Sequence, residues 1–221
     1  MNVIPFRPRP QPQAEPLAFA IGARVDLRVG AIASGVVRAI GEPEDAFAYS
    51  NLARLVRGAR MAWLERGAQA TLTLAVPASI QNVLEADMLS EAVIEAGCTR
   101  RTLNFQLNER ELVAAGVALA ENLRARGWNI ALRGDPDCPL PFGARARNLY
   151  SELVVQAPAI PDPFLAMDDG DRSPLGRRLL AAKAAGLVIT AETVLTASQA
   201  RMLAIAGFDR GGGAFAEAGL R

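Results

Sequence analysis

The sequence predicts an α/β chain folded as a modified, incomplete (βα) barrel. Three observations carry this. Helix-like and strand-like segments alternate strictly after Gly41, each helix-like segment stops at a glycine, and the strand-like run Leu103–Asn108 sets apolar residues against polar amides. A parallel strand in an open sheet is apolar on both faces, whereas a polar face suits a strand lining a barrel's interior and mouth.

Residues 1–17 (MNVIPFRPRPQPQAEPL) hold five prolines and no periodicity, and read as an extended or disordered tail, with a proline-rich docking peptide as the alternative. The folded domain is placed at 18–221. Apolar runs at 19–27 and 31–40 flank Arg28-Val29-Gly30 and predict a hairpin. Helices are expected at 46–66, 79–96, 109–126, 173–185 and 197–206, ending at Gly67, Gly97, Gly127, Gly186 and Gly207. Their starts are marked too. Asn108 with Glu111 and Thr196 with Gln199 have capping-box spacing, and Ser173-Pro174 sets proline at a first helical position.

Strands are expected at 70–76, 102–108, 129–134, 152–157 and 187–192, with a weak last one near 207–211. Period-two geometry sends Leu103, Phe105 and Leu107 to one layer and Asn104, Gln106 and Asn108 to the other. The same parity turns Thr71, Thr73 and Ala75 inward, with Asn129, Ala131 and Arg133, Val154 and Gln156, and Val188, Thr190 and Glu192.

Composition narrows the function. The 221 residues are 51% hydrophobic, enough for one sizeable core. With 24 basic and 23 acidic residues, charge gives no argument for nucleic acid or an anionic membrane as partner. Two cysteines, Cys98 and Cys138, indicate no disulfide framework, and no apolar run is long enough to span a bilayer, so a cytoplasmic protein is expected. Histidine is absent, which removes the commonest general base, the commonest metal ligand and every Ser-His or Cys-His nucleophile.

The order of segments from Phe19 to Leu220 resembles the EAL domain family of cyclic-di-GMP phosphodiesterases. Leu103-Asn104-Phe105-Gln106-Leu107-Asn108-Glu109 is similar to the family's Leu-Glu-Leu-Glu-Ile-Thr-Glu strand. Leu123–Leu132 resembles the stretch leading into its Asp-Asp-Phe-Gly motif. Ala191-Glu192-Thr193-Val194-Leu195 resembles its Ala-Glu-Gly-Val-Glu. The resemblance implies a TIM-like barrel of EAL type that opens with a β-hairpin. It also implies a chemistry in which two divalent cations polarise a phosphodiester and generate hydroxide.

On that alignment the functional positions are replaced. The signature Glu falls on Ser34, or on Val36 without a gap; the Asn ligand on Ala75; and a Glu ligand on Gln106. The paired aspartates fall on Arg133 and Gly134, the Lys on Val154, and the next Asp on Gln156. Only Glu192 survives. A guanidinium where carboxylates should hold metal repels divalent cations. The expectation is therefore a degenerate, catalytically inactive domain with no cofactor and no metal.

Ser34, Ala75, Gln106, Arg133, Gly134, Val154, Gln156 and Glu192 then line a degenerate pocket. In it Arg133 either pairs with Glu192 or, with Arg38, binds phosphate. Gly22 stands where the family has a Gln that contacts ligand, so cyclic-di-GMP is a candidate ligand but not the favoured one. Only Ala39–Asp45 separates the second strand from the next helix, where the family has about thirty residues including a helix. One outer helix is thus expected to be shortened or missing, leaving a side for a protein partner, a second copy or the tail to cover. The function this implies is a regulatory or protein-interaction module in bacterial signalling, in the setting of motility and surface attachment. The alternative is a non-hydrolysing cyclic-di-GMP receptor. Gly211-Gly212-Gly213 reads as a flexible turn, and Asp168-Asp169-Gly170-Asp171 as a solvated loop.

Overall fold

The computed structural model describes residues 17–135, 137, 144–157 and 174–218. The proline-rich tail (all but Leu17), Cys138 and the Asp168–Asp171 segment lie outside these residues. β1 (Phe19–Asp26) and β2 (Ile32–Ala39) form an antiparallel hairpin, with Phe19 opposite Ala39 and Arg24 opposite Ser34. The chain then passes through β3 (Thr71–Ala75), β4 (Leu103–Asn108), β5 (Ile130–Arg133), β6 (Glu152–Gln156), β7 (Val188–Glu192) and β8 (Arg210–Gly212). Each pairs in parallel with the one before, and β8 pairs antiparallel with β1.

The barrel is therefore closed, not incomplete as the sequence led us to expect. Closure rests on the weakest strand. The three residues of β8 reach both neighbours, with Arg24 opposite Gly212 and Thr190 opposite Arg210. The glycine run is thus strand at Gly211 and Gly212 rather than a flexible turn. A Cβ on Gly212 would sit 3.3 Å from the Ala23 carbonyl oxygen, so the bare backbone is what lets β1 approach.

The helices are α1 (Pro43–Ala46), α2 (Tyr49–Glu65), α3 (Ala86–Glu95), α4 (Glu109–Ala115), α5 (Ala118–Ala125), α6 (Ala144–Leu149), α7 (Pro174–Ala184), α8 (Ala197–Ile205) and α9 (Ala214–Ala218), of which the short α1, α6 and α9 were not expected from the sequence. The five helix-ending glycines all have φ between 72° and 94°. Two expected helices are divided. The 79–96 segment is a 3₁₀ turn (Ala78–Val83) and then α3, because Leu84 and Glu85 are extended. The 109–126 segment breaks at Gly116, whose φ is 87°.

Thr196 caps α8, accepting from Gln199 N at 3.1 Å. Asn108 does not cap α4. Its amide donates instead to the Val76 carbonyl at 2.9 Å, while its backbone N–H donates to Gln81 Oε1 at 2.7 Å. A tertiary contact outcompetes the local cap.

Outward-facing Leu72, Leu74, Leu103, Phe105, Leu107, Ile130 and Leu153 pack under Leu52, Leu55, Trp63, Leu89, Val93 and Leu123 of the helices. Burial of each large apolar side chain contributes about 1.5–3 kcal/mol. Phe105 and Trp128 meet edge to face at 5.4 Å, and the buried Trp128 indole donates to Ser90 Oγ at 2.9 Å. Between Ala39 and Tyr49 the only helix is the four-residue α1.

Candidate functional site at the barrel mouth

β1 reads Phe-Ala-Ile-Gly-Ala-Arg-Val-Asp, so Arg24, the strand's one basic residue, sits between apolar neighbours in the strand that closes the barrel. Its side chain is 1% exposed and points into the interior. Nη1 donates to Glu152 Oε1 at 3.2 Å, and Nη2 donates both to Glu192 Oε1 at 2.5 Å and to Gln106 Oε1. The first strand is thus tied to the fourth, sixth and seventh across the barrel.

Both carboxylates have further partners. Glu152 accepts from Thr190 Oγ1 at 2.5 Å and from Arg210 at 3.4 Å. Glu192 accepts from Arg38 and from the Gln156 amide, each at 3.1 Å. Buried carboxylates held this way are compensated charges. Burial pushes the Glu192 carboxyl up, but the Arg24 charge and hydrogen bond, the Arg38 charge and the Gln156 amide outweigh it. Its pKa lies below the ordinary glutamate value.

Above this cluster opens a cavity of about 330 Å³, whose lining includes Arg24, Arg38, Arg133, Gln156, Glu192 and Thr193. Thr193 has φ 64°, a left-handed conformation costly for a β-branched residue. Its hydroxyl donates to Gln156 Oε1 at 2.7 Å, so the strained residue helps fix the amide that holds Glu192.

The structure brings Gln106, Gln156, Glu192 and Arg38 into one hydrogen-bonded group, joined through Arg24 and Glu192. Arg133 ends β5 exposed at the mouth and makes no ion pair with Glu192. This corrects the sequence reading: the guanidinium opposite Glu192 belongs to Arg24, which is buried within β1, whereas Arg133 is exposed at the end of β5. Ser34 and Val154 are buried on their strands, and the Ser34 hydroxyl has no partner. Ala75 ends β3 beside Gln106, and Gly134 follows β5, its N–H on the Val154 carbonyl at 2.8 Å.

Sequence reasoning missed Arg24, Glu152 and Arg210. Parity was the available signal for Glu152, which shares a face with Val154 and Gln156. For Arg24 the signal was a lone arginine inside an apolar run. Glu109, a third buried carboxylate, accepts from the Asp135 N–H at 2.6 Å and pairs with Arg178 of α7, so it is a structural tie outside the mouth. Burial pushes the Cys98 thiol up against the pull of Arg60, which leaves it a poor nucleophile.

Solved structures share this architecture. The PaMucR phosphodiesterase in its c-di-GMP complex superposes with a TM-score of 0.70 at 18% identity, covering 90% of this chain and 94% of that one. The fold is that of the EAL domains. The EAL domain of Mycobacterium smegmatis DcpA matches with a TM-score of 0.63 at 20% identity, over 89% of this chain and 90% of its own. A standalone versatile EAL protein from Vibrio cholerae O395, in a c-di-GMP-bound form, matches at 0.63 and 15%, over 90% and 91%. No family model matches the sequence. No curated protein matches it either.

Against an EAL metal centre the interior residues do not fit. The oxygens of Gln106 and Glu192 are engaged by a guanidinium, Ala75 and Val154 offer no side-chain donor, and Arg133 adds positive charge at the mouth. Among the described residues no three His, Cys, Asp or Glu side chains are grouped to hold a metal ion. No helix among them is long and apolar enough to cross a membrane.

Proposed function

We propose that this chain is a non-hydrolysing EAL-type module of cyclic-di-GMP-related signalling, which acts by binding another protein or a second copy of itself. One observation carries the reading: the Arg24 guanidinium is bonded to Gln106 and Glu192, two positions that the resemblance assigns to metal-dependent chemistry. A cation fixed there by covalent attachment cannot generate a hydroxide nucleophile or polarise a phosphate as a metal does. The short Ala39–Tyr49 connection supports the interaction role, since it leaves Ile40 56% exposed beside α1. Purified protein with Mg²⁺ or Mn²⁺ is expected to leave cyclic-di-GMP intact. Turnover above that of a mock preparation, lost in Glu192→Gln, would overturn the reading.

The mouth itself favours a second reading, a cyclic-di-GMP receptor. The cavity presents Arg38, whose side chain is 47% exposed, and Arg133, two guanidinium forks suited to phosphate. Calorimetry decides between them. Low-micromolar binding that Arg38→Ala abolishes establishes the receptor; a flat titration leaves the protein-interaction module.

A further inference from the structure

We propose that residues 3–9 of this chain (Val-Ile-Pro-Phe-Arg-Pro-Arg) dock in a groove beside the barrel, between the 3₁₀ turn and α3 on one wall and α4 and α5 on the other. Phe6 enters the apolar floor of the groove, and Arg7 and Arg9 meet its acidic rim. The groove shares no residue with the mouth cavity, so docking there is independent of what the mouth binds or hydrolyses.

Both helix interruptions open on this groove. Leu84 and Glu85, where the first expected helix is extended, and Ala115 and Gly116, where the second breaks, border one cavity of about 350 Å³. A Cβ on Gly116 would meet nothing within 4 Å, so its φ of 87° serves the turn and not close packing. The floor is apolar: Leu112 is buried, Leu84 and Leu119 are half-buried, and the adjoining Val83 is 76% exposed. A cleft of this size, with an apolar floor and a few polar groups around it, is of the kind that takes a ligand side chain.

Charge and reach select the occupant. Glu85 and Asp87 line the groove, and Glu111 stands beside it, accepting from Asn82 at 3.0 Å. Arg126 is the one basic residue of the lining, and Asp87 already engages it at 2.6 Å. Glu85 is exposed and has no partner among the described residues. The rim therefore suits a cation carried next to an apolar side chain. Phe6-Arg7-Pro8-Arg9 is such a sequence, and the only acid among residues 1–16 is Glu15. Proline fixes φ, so less entropy is lost when such a stretch is ordered.

Leu17 packs on the core and the Ala18 carbonyl accepts from Ile40 N at 2.9 Å, so the tail joins the domain at the end of β2. The groove adjoins the same end of β4, where Gln81 holds Asn108. Only β3 separates the two strands, about 10 Å at ordinary strand spacing. The eight residues from Arg9 to Leu17 can span about 25 Å as an extended proline-rich chain, enough to cross that distance and reach out over the helices.

The test compares amide hydrogen exchange in the full chain and in a chain lacking residues 1–16. The deletion is expected to speed exchange at 82–87 and 115–119 by about threefold or more, a factor in keeping with a tethered segment at millimolar local concentration, and to leave α2 unchanged. The difference is expected not to depend on protein concentration. Glu85→Arg and Arg9→Glu are each expected to match the deletion, and together to restore slow exchange. Docking is overturned if the deletion changes nothing at the groove, if it speeds exchange throughout the chain, or if the double reversal stays as fast as the single ones. Protection that appears only as protein concentration rises also overturns it, since the groove then takes the tail of a neighbouring copy.

Discussion

Replacing Arg24 by methionine keeps most of the side-chain volume and removes the charge. Glu152 and Glu192, at 3% and 8% side-chain exposure, are then left in the barrel with only their peripheral arginines, at 3.4 Å and 3.1 Å. Breaking a buried pair by deleting one partner costs about 3–5 kcal/mol, because the surviving charge is uncompensated. Arg38 and Arg210 compensate in part, so the lower end of that range, about 3 kcal/mol, is expected. For a domain of this size that corresponds to a fall in Tm of roughly 6–12 °C. The assay is urea unfolding followed by tryptophan fluorescence, with the midpoint shifting at constant slope. Adding Glu152→Gln and Glu192→Gln to Arg24→Met removes every buried charge of the cluster and is expected to recover at least half of the loss. An Arg24→Met protein within about 1 kcal/mol of wild type would refute the account of Arg24 as the principal compensating charge, since that is the worth of an exposed pair.

Acid provides a second test. The folded-state pKa of Glu192 lies below the ordinary glutamate value, so its contribution to stability is present above the ordinary carboxylate range and is lost as pH falls through the folded value. The urea midpoint of wild type is expected to fall across that window more steeply than that of Glu192→Gln, and equal slopes would count against the assigned pairing. Gly213→Ala tests the closure of the mouth: Gly213 has φ 120°, and a Cβ there would lie 2.9 Å from the Val194 backbone N and O. Strain of this kind costs about 1–3 kcal/mol, so a loss of about 2 kcal/mol in chemical denaturation is expected, and a neutral variant would show that the backbone gives way.

Element order, glycine stops and the alternating β4 strand were legible because each is written locally, in period and in turn chemistry. The amides of Leu103–Asn108 announced a polar interior, and Gln106 and Glu192 indeed meet a guanidinium there. Which arginine supplies it was not legible. Arg133 occupied the aligned position, whereas Arg24 reaches the same volume only because β1 closes the barrel between β2 and β8. Closure itself was hidden, since three residues, Arg210-Gly211-Gly212, carry no strand propensity of their own and are strand through their neighbours. The failed cap at Asn108 has the same origin. Gln81, distant in sequence, offered its backbone N–H a better acceptor.

The position of Arg24 also orders events during synthesis. Its partners Gln106, Glu152 and Glu192 lie 82, 128 and 168 residues further along the chain. The hairpin of β1 and β2 can pair as soon as it leaves the ribosome, but its arginine must remain hydrated until the sixth and seventh strands exist to receive it. Contacts of such long sequence separation form late and slowly, because the entropy of closing the intervening loop precedes the gain. A nascent chain that has not yet made β6 carries an arginine without either of its carboxylate partners at the heart of its first hairpin. Burying that charge before its carboxylates exist would be costly, so the inner face of the hairpin is a poor core until the last strands seal it in.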